Sequence, residues 1–564
     1  MNKKFGLVNH RLLFIIFLRV IVDEVRTFNV DVTKPIYFQE EENAMFGYTV
    51  AFIANSSGTT SLLVGAPNRT GVDRINGYGG FYECEINLTS QRGGCRRKET
   101  VDYMCRRFNK TNRCEDHQML GATIAVNHKY YNVKNNMNIP RVSVCAPGWK
   151  YTLYENYGEK ITLPVGKCYH FKEIWQQEGC ESNTEYCVPF WKRPKEYLPS
   201  DGTYDFAAAQ GGFTMKYSQD GRYSFFGGPG VSKGRGSVKL HHLSRNQMFH
   251  RNKDALWGQY FGFSLTTANL TEYESFTAGI PNYYSNQQGF TGRVEVFSMA
   301  DFTMKNGLNF GETTACERDI TVIPYDQPQS GSKFGYTVEG INVDNKGMDE
   351  LFVGAPLYSD FVMKRVVAPE TGRVFVYRVT TEKICGPIAV LTGAASDPSL
   401  RKLAAYARFG IAISSAGDLN HDGYKDVAIG APYEDEHTGA VYIYNGGPDG
   451  VKDVFSQRIT GRVFGSNIPG SNIGTFGWHI NGEYDVDKNG FADLAVGAYK
   501  NDVAIVLRTR PIVNVAMDIR LFPRIIPLNG TPGSACGDAP CLRLMVCFSY
   551  MVEKPAPVGI VDEL

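Results

Sequence analysis

The stretch FGIAISSAGDLNHDGYKDVAIGAP, residues 409–432, decides the fold of this chain. It opens on a Phe-Gly pair, closes on an Ile-Gly-Ala-Pro corner, and holds two short apolar runs on either side of an acidic turn. Apolar runs of this length, with a glycine-containing turn between them, are typical of a β-hairpin. The stretch therefore predicts two antiparallel strands joined by a polar loop.

The same pattern recurs along the chain, which makes it a structural repeat. Seven copies are found, 50 to 91 residues apart, each with room for four short strands; their marker glycines are Gly47, Gly121, Gly212, Gly262, Gly335, Gly410 and Gly477. One such unit cannot bury both faces of its sheet, so the units must stack, and radial closure also protects the strand edges. We therefore expect an all-β, seven-bladed β-propeller. A linear β-solenoid is the alternative, which the long repeat disfavours.

The composition and motifs of the chain argue against several classes of function. The 59 Lys and Arg residues nearly balance the 58 Asp and Glu residues, leaving a formal net charge of +1. Such a chain has no bulk electrostatic attraction for nucleic acid or anionic lipid, so its partners must be recognised at local sites. No Ser-His-Asp order, phosphate-binding loop or zinc-ligand spacing stands out, and histidines such as His241, His242 and His250 are typical of surface or core groups. We expect that the protein is not an enzyme.

The N-terminus has the features of a secretory signal peptide, assigned to residues 1–27. Lys3 and Lys4 form its charged end, and an apolar stretch follows from Leu12 to Val22. A signal anchor is the alternative, but the stretch is shorter than the ~20 residues that span a bilayer, and no other segment is long enough. In the secretory pathway the 13 Cys residues would form disulfides and leave at least one thiol over. Six glycosylation sequons agree with this location, at Asn55, Asn68, Asn87, Asn109, Asn269 and Asn529.

The acidic turns of the sixth and seventh copies have the spacing of a calcium loop. Oxygen-bearing side chains stand at positions 1, 3, 5 and 9, glycine stands at position 6, and position 7 offers a backbone carbonyl. Ca²⁺ takes roughly six to eight oxygen ligands in a tolerant geometry, which this alternation can bring to one point. A strand follows at once and position 12 lacks Glu, so the ion would sit in a β-hairpin; a solvated acidic turn is the alternative. The predicted ligands are Asp418, Asn420, Asp422, Tyr424 and Asp426 in the sixth copy, and Asp485, Asp487, Asn489, Phe491 and Asp493 in the seventh.

The fifth copy carries a degraded version of this loop. Asn342 and Asp344 keep positions 1 and 3, and Glu350 replaces the closing Asp, but Lys346 stands where an oxygen donor is expected. If the Lys346 ammonium pointed away, four donors and water would remain. The sequence therefore predicts two Ca²⁺ sites and leaves a third, weaker site open.

These seven repeats, with calcium loops confined to the later copies and a start at Phe28 after a signal peptide, resemble integrin alpha subunits of the insect type and their FG-GAP repeats. The resemblance implies a propeller over residues 28–510 and the start of an Ig-like thigh domain over 511–564, where residues 513–519 alternate as a strand does. About 60 residues separate Pro147 from Gln210. That is too few for the inserted α/β domain of some members. The chain would be an N-terminal head fragment or a truncated product.

The resemblance also implies disulfides. Cys145 and Cys168 fall where the family has its second-blade disulfide, and Cys536 and Cys547 match the first thigh disulfide by spacing. Nearest neighbours in the sequence suggest three more pairs: Cys84–Cys95, Cys105–Cys114 and Cys180–Cys187. Ala209 stands where many members carry a cysteine, which leaves other partners open for Cys180 and Cys187. The partners of Cys316, Cys385 and Cys541 are open as well.

By function, the resemblance implies a cell-adhesion receptor subunit that pairs with an integrin beta chain and binds an extracellular matrix ligand at the joint head. In the family a basic residue of the beta chain enters an aromatic ring at the propeller centre, which aromatic residues at the blade starts would supply here. Two alternatives stay open. One is a phospholipase with similar repeats, for which no catalytic domain precedes the first repeat, and the other is a secreted, calcium-dependent sugar-binding propeller.

Departures from the family pattern bear on the ligand. Members that read an Arg-Gly-Asp motif hold its arginine with acidic and aromatic side chains, and these positions fall here on Tyr204 and Lys233, with Arg235 close by. A ligand arginine would meet like charge at this place. We expect a matrix ligand whose binding does not depend on such an arginine, laminin-like ligands being one candidate.

Overall fold

The structure is a computed structural model that describes residues 30–54, 59–68, 78–98, 118–129, 131–132, 137–138, 140–154, 160–172, 176–177, 187–190, 205–242, 245–250, 255–286, 289–302, 304–309, 329–362, 365–380, 384–465, 473–522 and 543–552. In chain order the strands are β1 (Ile36–Gln39), β2 (Thr49–Ala54), β3 (Thr60–Gly65), β4 (Phe81–Glu85), β5 (Gly94–Lys98), β6 (Thr123–Asn127), β7 (Tyr131–Asn132), β8 (Met137–Asn138), β9 (Arg141–Ala146), β10 (Lys150–Tyr154), β11 (Lys160–Pro164), β12 (Lys167–Lys172), β13 (Gln176–Gln177), β14 (Thr214–Tyr217), β15 (Ser224–Gly228), β16 (Ser237–His242), β17 (Arg245–His250), β18 (Ser264–Ala268), β19 (Ser275–Ile280), β20 (Tyr284–Ser285), β21 (Gly289–Phe290), β22 (Arg293–Ser298), β23 (Met304–Asn309), β24 (Thr337–Ile341), β25 (Glu350–Ala355), β26 (Asp360–Val362), β27 (Arg365–Ala368), β28 (Arg373–Val379), β29 (Ile384–Leu391), β30 (Ala412–Gly417), β31 (Asp426–Ala431), β32 (Ala440–Tyr444), β33 (Gln457–Thr460), β34 (His479–Tyr484), β35 (Asp493–Ala498), β36 (Val503–Leu507), β37 (Val513–Phe522) and β38 (Arg543–Val552). Helical structure among these residues is limited to two four-residue turns, α1 (Val231–Gly234) and α2 (Glu434–His437), and to 3₁₀ turns at Gly393–Ser396, Arg401–Leu403, Gly461–Phe464 and Tyr499–Asn501.

Seven antiparallel four-stranded sheets make up the body of the fold. Numbered as blades one to seven, they are β2-β3-β4-β5, β6-β9-β12-β13, β14-β15-β16-β17, β18-β19-β22-β23, β24-β25-β28-β29, β30-β31-β32-β33, and β34-β35-β36 completed by β1. Two-stranded pairs, β7-β8, β10-β11, β20-β21 and β26-β27, extend from the blades.

The first strands of neighbouring blades contact one another in a closed ring. β2 contacts β6, β6 contacts β14, and the series continues through β18, β24, β30 and β34 back to β2. The hydrophobic core lies between blades: Phe352 and Val374 of the fifth blade belong to one buried cluster with Ile429 and Tyr442 of the sixth. The predicted seven-bladed propeller is confirmed, and a linear solenoid is excluded because the last blade meets the first.

The marker glycine of each repeat lies two residues before the first strand of its blade. All seven have a left-handed backbone, with φ between +81° and +93°, which side-chain-bearing residues rarely adopt. A side chain would also clash where the Val-Gly-Ala-Pro corner of one blade meets the marker glycine of the next. A Cβ on Gly65, for example, would lie 2.0 Å from the carbonyl oxygen of Gly121. The repeat signature therefore reflects backbone constraints at the contacts between blades.

An N-terminal strand closes the ring. β1 pairs antiparallel with β36, placing Ile36 opposite Val506. Gln457 of the sixth blade holds the preceding segment: its Nε2 donates to the Val30 carbonyl at 3.0 Å, and its Oε1 accepts from the Val30 N–H at 3.2 Å. The seventh blade is therefore complete only when both ends of the propeller segment are in place.

After the propeller, β37 and β38 form an antiparallel hairpin with Val513 opposite Val552, so the strand predicted over 513–519 is present. The Ig-like assignment of residues 511–564 stays a prediction. The predicted Cys536–Cys547 disulfide is wrong: Cys547 carries a free, exposed thiol. Its place in the middle of β38, directly opposite Asp518, puts Asp518 rather than a cysteine beside it. Cys536 lies outside the described residues.

Two predicted disulfides are present. Cys84–Cys95 joins β4 to β5, and Cys145–Cys168 joins β9 to β12, each between directly opposed residues. Cys187 and Cys385 are also disulfide-bonded. The other predicted partners lie outside the described residues; they are Cys105, Cys114 and Cys180.

Several further predictions concern the surface. Asn68, Asn87 and Asn269 are exposed, as glycosylation requires, and their modification stays a prediction. Asn55, Asn109, Asn529, the signal peptide and Tyr204 lie outside the described residues. Within the described ranges, no helix has the length and apolar character needed to cross a bilayer.

Candidate functional site

The predicted metal ligands lie on three hairpin loops with one backbone conformation. Each loop joins the first strand of its blade to the second, β24 to β25, β30 to β31, and β34 to β35. Positions 4 and 6 are left-handed in every case, with φ of 53° and 91° at Asn345 and Gly347, 57° and 90° at His421 and Gly423, and 60° and 89° at Lys488 and Gly490. The shared spacing in the sequence therefore fixes a shared loop.

The seventh-blade loop brings three carboxylates together. Oxygen atoms of Asp485, Asp487 and Asp493 lie within 4.8 Å of one another. Backbone groups orient Asp485, whose Oδ2 accepts from the Gly490 N–H at 2.7 Å and whose Oδ1 accepts from the Asn489 N–H at 3.0 Å. Carboxylates held this close suit a divalent cation, because without one they repel each other.

The closing carboxylate of this loop, Asp493, is fully buried. Its two oxygens accept backbone N–H groups from Val486 and Thr509, both at 2.8 Å. Burial raises the pKa of Asp493 well above its ordinary value, the Thr509 N–H opposes this, and the Asp487 charge reinforces it. A buried carboxylate is costly to ionise without a positive partner, so this site favours the binding of a cation.

The sixth-blade loop repeats this arrangement. Asp426 is fully buried, and its oxygens accept the N–H groups of Leu419 at 2.9 Å and Gly446 at 3.0 Å. Burial, more than any other cause, raises the pKa of Asp426 to about 7. Asp418 accepts the Gly423 N–H at 2.8 Å, as Asp485 accepts that of Gly490. The equivalence covers the acids at positions 1 and 9 and the backbone groups that hold them, whereas among the described residues the grouping of three carboxylates within 4.8 Å occurs in the seventh loop only.

The ligand positions in the middle of the loops differ in detail. In the sixth loop Asn420 Nδ2 donates to Asp422 Oδ2 at 2.9 Å. In the seventh, Asn489 Nδ2 donates to the Thr509 carbonyl at 2.8 Å, which leaves Asn489 Oδ1 to accept the Phe491 N–H at 2.8 Å. Tyr424 likewise donates its N–H to Asp422 Oδ1 at 3.1 Å. The coordinating role of the Tyr424 and Phe491 carbonyls stays a prediction.

The fifth-blade loop departs from the expectation. Lys346 does not point away: its Nζ lies 3.2 Å from Asp344 Oδ2. Arg378 reaches the same loop, with Nη2 at 2.8 Å from Asp344 Oδ2 and at 3.4 Å from Glu350 Oε1. Asn342 Oδ1 is buried without a hydrogen-bond partner among the described residues. The weaker metal site predicted at Asn342, Asp344 and Glu350 does not fit this geometry, because positive side chains already neutralise its carboxylates.

Sequence reasoning missed the groups that complete these loops. Gly446, Thr509 and Arg378 all follow the third strand of a blade or lie near its end, far from the loop in sequence. Arg378, for example, is 34 residues from Asp344. Only the pairing of the second strand with the third places them beside the loop, so no local motif could have identified them.

The first strands enclose a central cavity of about 830 Å³, which extends from Lys425 and Glu483 at the loop end to the residues after the marker glycines at the opposite end. The residue after each marker glycine lines it: Tyr48, Ala122, Phe213, Phe263, Tyr336, Ile411 and Trp478. Five of the seven are aromatic, and they stack in series, with ring centroids 4.8 Å apart for Phe213–Phe263, 4.9 Å for Phe263–Tyr336 and 5.4 Å for Tyr48–Trp478. The aromatic ring predicted at the blade starts is therefore present on five blades.

Two tyrosines that the sequence reasoning did not select extend this ring. Tyr499 packs on Trp478 with centroids 4.8 Å apart, and its hydroxyl lies 3.4 Å from that of Tyr433. Both follow the corner of their blade, Ala498 or Pro432. Burial raises the pKa of Tyr48 to about 12. The sequence signal that could have identified these two tyrosines is an aromatic residue directly after the Gly-Ala or Gly-Ala-Pro corner of the repeat.

Comparison with known proteins shows which proteins this chain resembles. The family model for the FG-GAP repeat matches residues 409–444. The chain is 28% identical to integrin alpha-4 of Xenopus laevis over 96% of its own length and 48% of the relative. It is 30% identical to integrin alpha-8 of Gallus gallus over 93% of the chain and 47% of the relative, and 29% identical to integrin alpha pat-2 of Caenorhabditis elegans over 94% and 41%.

The chain is homologous to integrin alpha subunits. It spans about half the length of these relatives or less. At least 93% of the chain is aligned in each case, which is more than the propeller alone.

The positions predicted for ligand recognition in this integrin alpha homologue are partly described. Lys233 lies in the turn α1, with its Nζ 4.6 Å from the centroid of the Trp257 ring. Arg235 donates from Nε to the Ala255 carbonyl at 2.7 Å. The indole of Trp257, which the sequence reasoning did not select, is 61% exposed. Two basic groups and an exposed aromatic ring therefore stand together between the third and fourth blades.

Proposed function

We propose that this chain is the N-terminal head region of an integrin alpha subunit, a cell-adhesion receptor subunit that pairs with an integrin beta chain and binds an extracellular matrix protein. Homology along at least 93% of the chain is the observation that carries the proposal. The protein acts by binding and has no catalytic role. It enters the secretory pathway and reaches the cell surface as part of the full-length heterodimer.

The aromatic end of the propeller is the docking site for the beta chain. Stacked rings around a central opening attract a cation, because each ring face carries negative electrostatic potential. A Lys or Arg side chain from the beta chain would lie against the cluster of Tyr48, Trp478 and Tyr499, whose rings contact one another with centroids 4.8 to 5.7 Å apart.

Co-purification with a beta chain tests this docking. Trp478→Ala should reduce recovery of the heterodimer at least about tenfold, since a desolvated cation–π contact and a buried aromatic surface are lost together. Tyr273→Ala is the matched control, because Tyr273 is an exposed aromatic residue at the other end of the blades. Equal recovery of both variants would contradict the proposed docking site.

Calcium occupies the sixth and seventh loops. Their carboxylate and amide oxygens are the donors that Ca²⁺ prefers, and the buried Asp426 and Asp493 each lack an ion-pair partner among the described residues. Bound calcium supplies the positive charge that lets these acids ionise. Its role here is structural, since it holds the loop end of two blades far from the aromatic end.

The matrix ligand does not depend on an arginine. Lys233 and Arg235 would repel an arginine side chain, whereas an acidic surface would be attracted to both. Cells bearing the full-length heterodimer should therefore adhere equally to an immobilised Arg-Gly-Asp peptide and to its Ala-Gly-Asp variant. Adhesion to the first that vanishes on the second would contradict this ligand class.

A further inference from the structure

We propose that the fifth-blade loop is an ion-free copy of the calcium loop, in which Arg378 and Lys346 take the place of calcium. The loop would then stay ordered when calcium is withdrawn. The inference rests on the proposed calcium sites of the sixth and seventh loops, which give the standard against which the fifth loop differs.

Arg378 occupies the centre of the arrangement. Its guanidinium forms a hydrogen-bonded ion pair with Asp344 at 2.8 Å and lies 3.4 Å from Glu350, and these acids are only 1% and 3% exposed. A planar guanidinium can serve two carboxylates at once, and charge-assisted hydrogen bonds are stronger than neutral ones. A single side chain thus contacts both buried acids of the loop, and Lys346 supplies the second positive charge.

Lys346 fills the position where a calcium loop needs an oxygen. Its Nζ lies 3.2 Å from Asp344 Oδ2 and donates to the Pro448 carbonyl at 2.7 Å. A calcium ion in this loop would meet the ammonium charge instead of a carboxylate or amide. The bond to Pro448 also joins the fifth-blade loop to the sixth blade, beside the backbone bond from Gly447 N–H to the Val343 carbonyl at 3.0 Å.

The balance of charge separates the fifth loop from the other two. At the ligand positions 1, 3, 5 and 9 the fifth loop has two carboxylates, Asp344 and Glu350, which face two cationic side chains, whereas the sixth and seventh loops each have three. Asp349, at position 8, accepts the Asn269 N–H of the fourth blade instead. The lysine of the sixth loop, Lys425, turns instead to Glu483 of the next blade at 2.6 Å. Among the side-chain oxygens at these positions, only Asn342 Oδ1 has no hydrogen-bond partner within the described residues, and a single neutral side-chain oxygen cannot replace the three carboxylates of a calcium loop.

Arg508 provides an internal comparison. It follows Leu507, which pairs with Leu494, as Arg378 follows Tyr377, which pairs with Leu351. Arg508 therefore has the equivalent place beside the seventh loop. Within the described ranges, however, ion pairs to loop carboxylates occur only in the fifth blade. An arginine at this place does not by itself replace the ion; the loss of one carboxylate and the gain of Lys346 accompany the change.

Hydrogen–deuterium exchange of the purified chain, in calcium and in EGTA, tests the inference. Amides of residues 342–350 should change less than about twofold on chelation, whereas those of the sixth and seventh loops should exchange at least about tenfold faster. Arg378→Gln should accelerate exchange in the fifth loop about tenfold in both buffers, since it leaves two buried acids without their partner. Arg508→Gln, the matched control, should leave the fifth loop unchanged.

The outcomes separate the two proposals. Acceleration of the fifth loop by EGTA to the extent seen in the sixth and seventh would overturn the inference, and so would an Arg378→Gln variant with unchanged exchange. If EGTA affects none of the three loops while Arg378→Gln still opens the fifth, the calcium proposal fails and the role of Arg378 stands. A second variant, Lys346→Asp with Arg378→Asn, should gain one bound calcium per chain by metal analysis; a folded double variant with no gain would contradict the inference.

Discussion

The fifth-blade loop and the loops of the sixth and seventh blades share one backbone but differ in the source of their positive charge. In all three, the closing acid accepts the N–H of position 2: Val343 to Glu350 at 3.1 Å, Leu419 to Asp426 at 2.9 Å, and Val486 to Asp493 at 2.8 Å. The closing acid therefore has a structural role in every loop. The comparison teaches that the spacing of the loop residues fixes the backbone conformation. The residue at position 5 and the neighbouring strand decide whether calcium or basic side chains neutralise the loop carboxylates.

Calcium removal should give the largest effect in this comparison. In EGTA we expect the melting temperature of the chain to fall by more than about 5 °C, because a bound ligand stabilises the folded state and its loss leaves the acids of the sixth and seventh loops to repel one another. Scanning calorimetry at a fixed scan rate measures this. An unchanged melting temperature in EGTA would contradict this comparison, because it would mean that calcium stabilises none of the three loops.

Removal of one closing acid should have the next largest effect. Asp493→Ala should lower the free energy of unfolding by about 3 kcal/mol, since it deprives the buried N–H groups of Val486 and Thr509 of their acceptor and weakens the ion site. Asp453→Ala, at an exposed position of the sixth blade, is the control and should change stability by less than about 0.5 kcal/mol. Urea unfolding in calcium measures both. Similar losses in the two variants would mean that the seventh loop has no special role.

The sequence predicts the loops and their acids well, but it does not predict the ion pairs of the fifth loop. Marker glycines and loop acids are recognisable because left-handed backbone and oxygen alternation each require particular residue types at fixed spacing. Arg378 is not recognisable, because its 28-residue separation from Glu350 is bridged only by strand pairing. The same reason hides the N–H groups of Gly446 and Thr509. The free thiol of Cys547 shows the reverse error, where sequence spacing suggested a disulfide that Cys547 does not form.

The lysine of the sixth loop should matter little. Lys425 and Glu483 are 48% and 42% exposed, and such ion pairs contribute about 1 kcal/mol or less. Lys425→Met should therefore leave the calcium affinity unchanged within about twofold and the free energy of unfolding within about 1 kcal/mol. Isothermal calorimetry and urea unfolding measure the two quantities. A large loss of affinity would show that Lys425, and not only Arg378 and Lys346, belongs to the loop electrostatics.

The fourth blade shows a third arrangement at the same end of the propeller, with the smallest expected effect. Burial raises the pKa of Glu274 to about 7, while Asp220 and Asp349 add to the shift and the Gln219 N–H and Lys129 oppose it. The folded-state pKa exceeds the ordinary value of 4.5, so this stabilising contribution is complete below pH 4.5 and is lost as the pH rises to 7.

In saturating calcium, the melting temperature of Glu274→Gln should therefore fall less between pH 5 and pH 8 than that of the unmodified chain. The amide mimics the protonated acid, so the two proteins should agree most closely at the lower pH. Parallel pH profiles would show that Glu274 stays ionised throughout.

The number of calcium ions bound per chain tests the central claim most directly. Metal analysis of the purified protein, dialysed against micromolar calcium, should give two ions per chain, falling to one in Asp422→Ala and to none when Asp422→Ala and Asp487→Ala are combined. Three ions in the unmodified chain would contradict the contrast between the fifth loop and the other two, and none would contradict the calcium assignment itself.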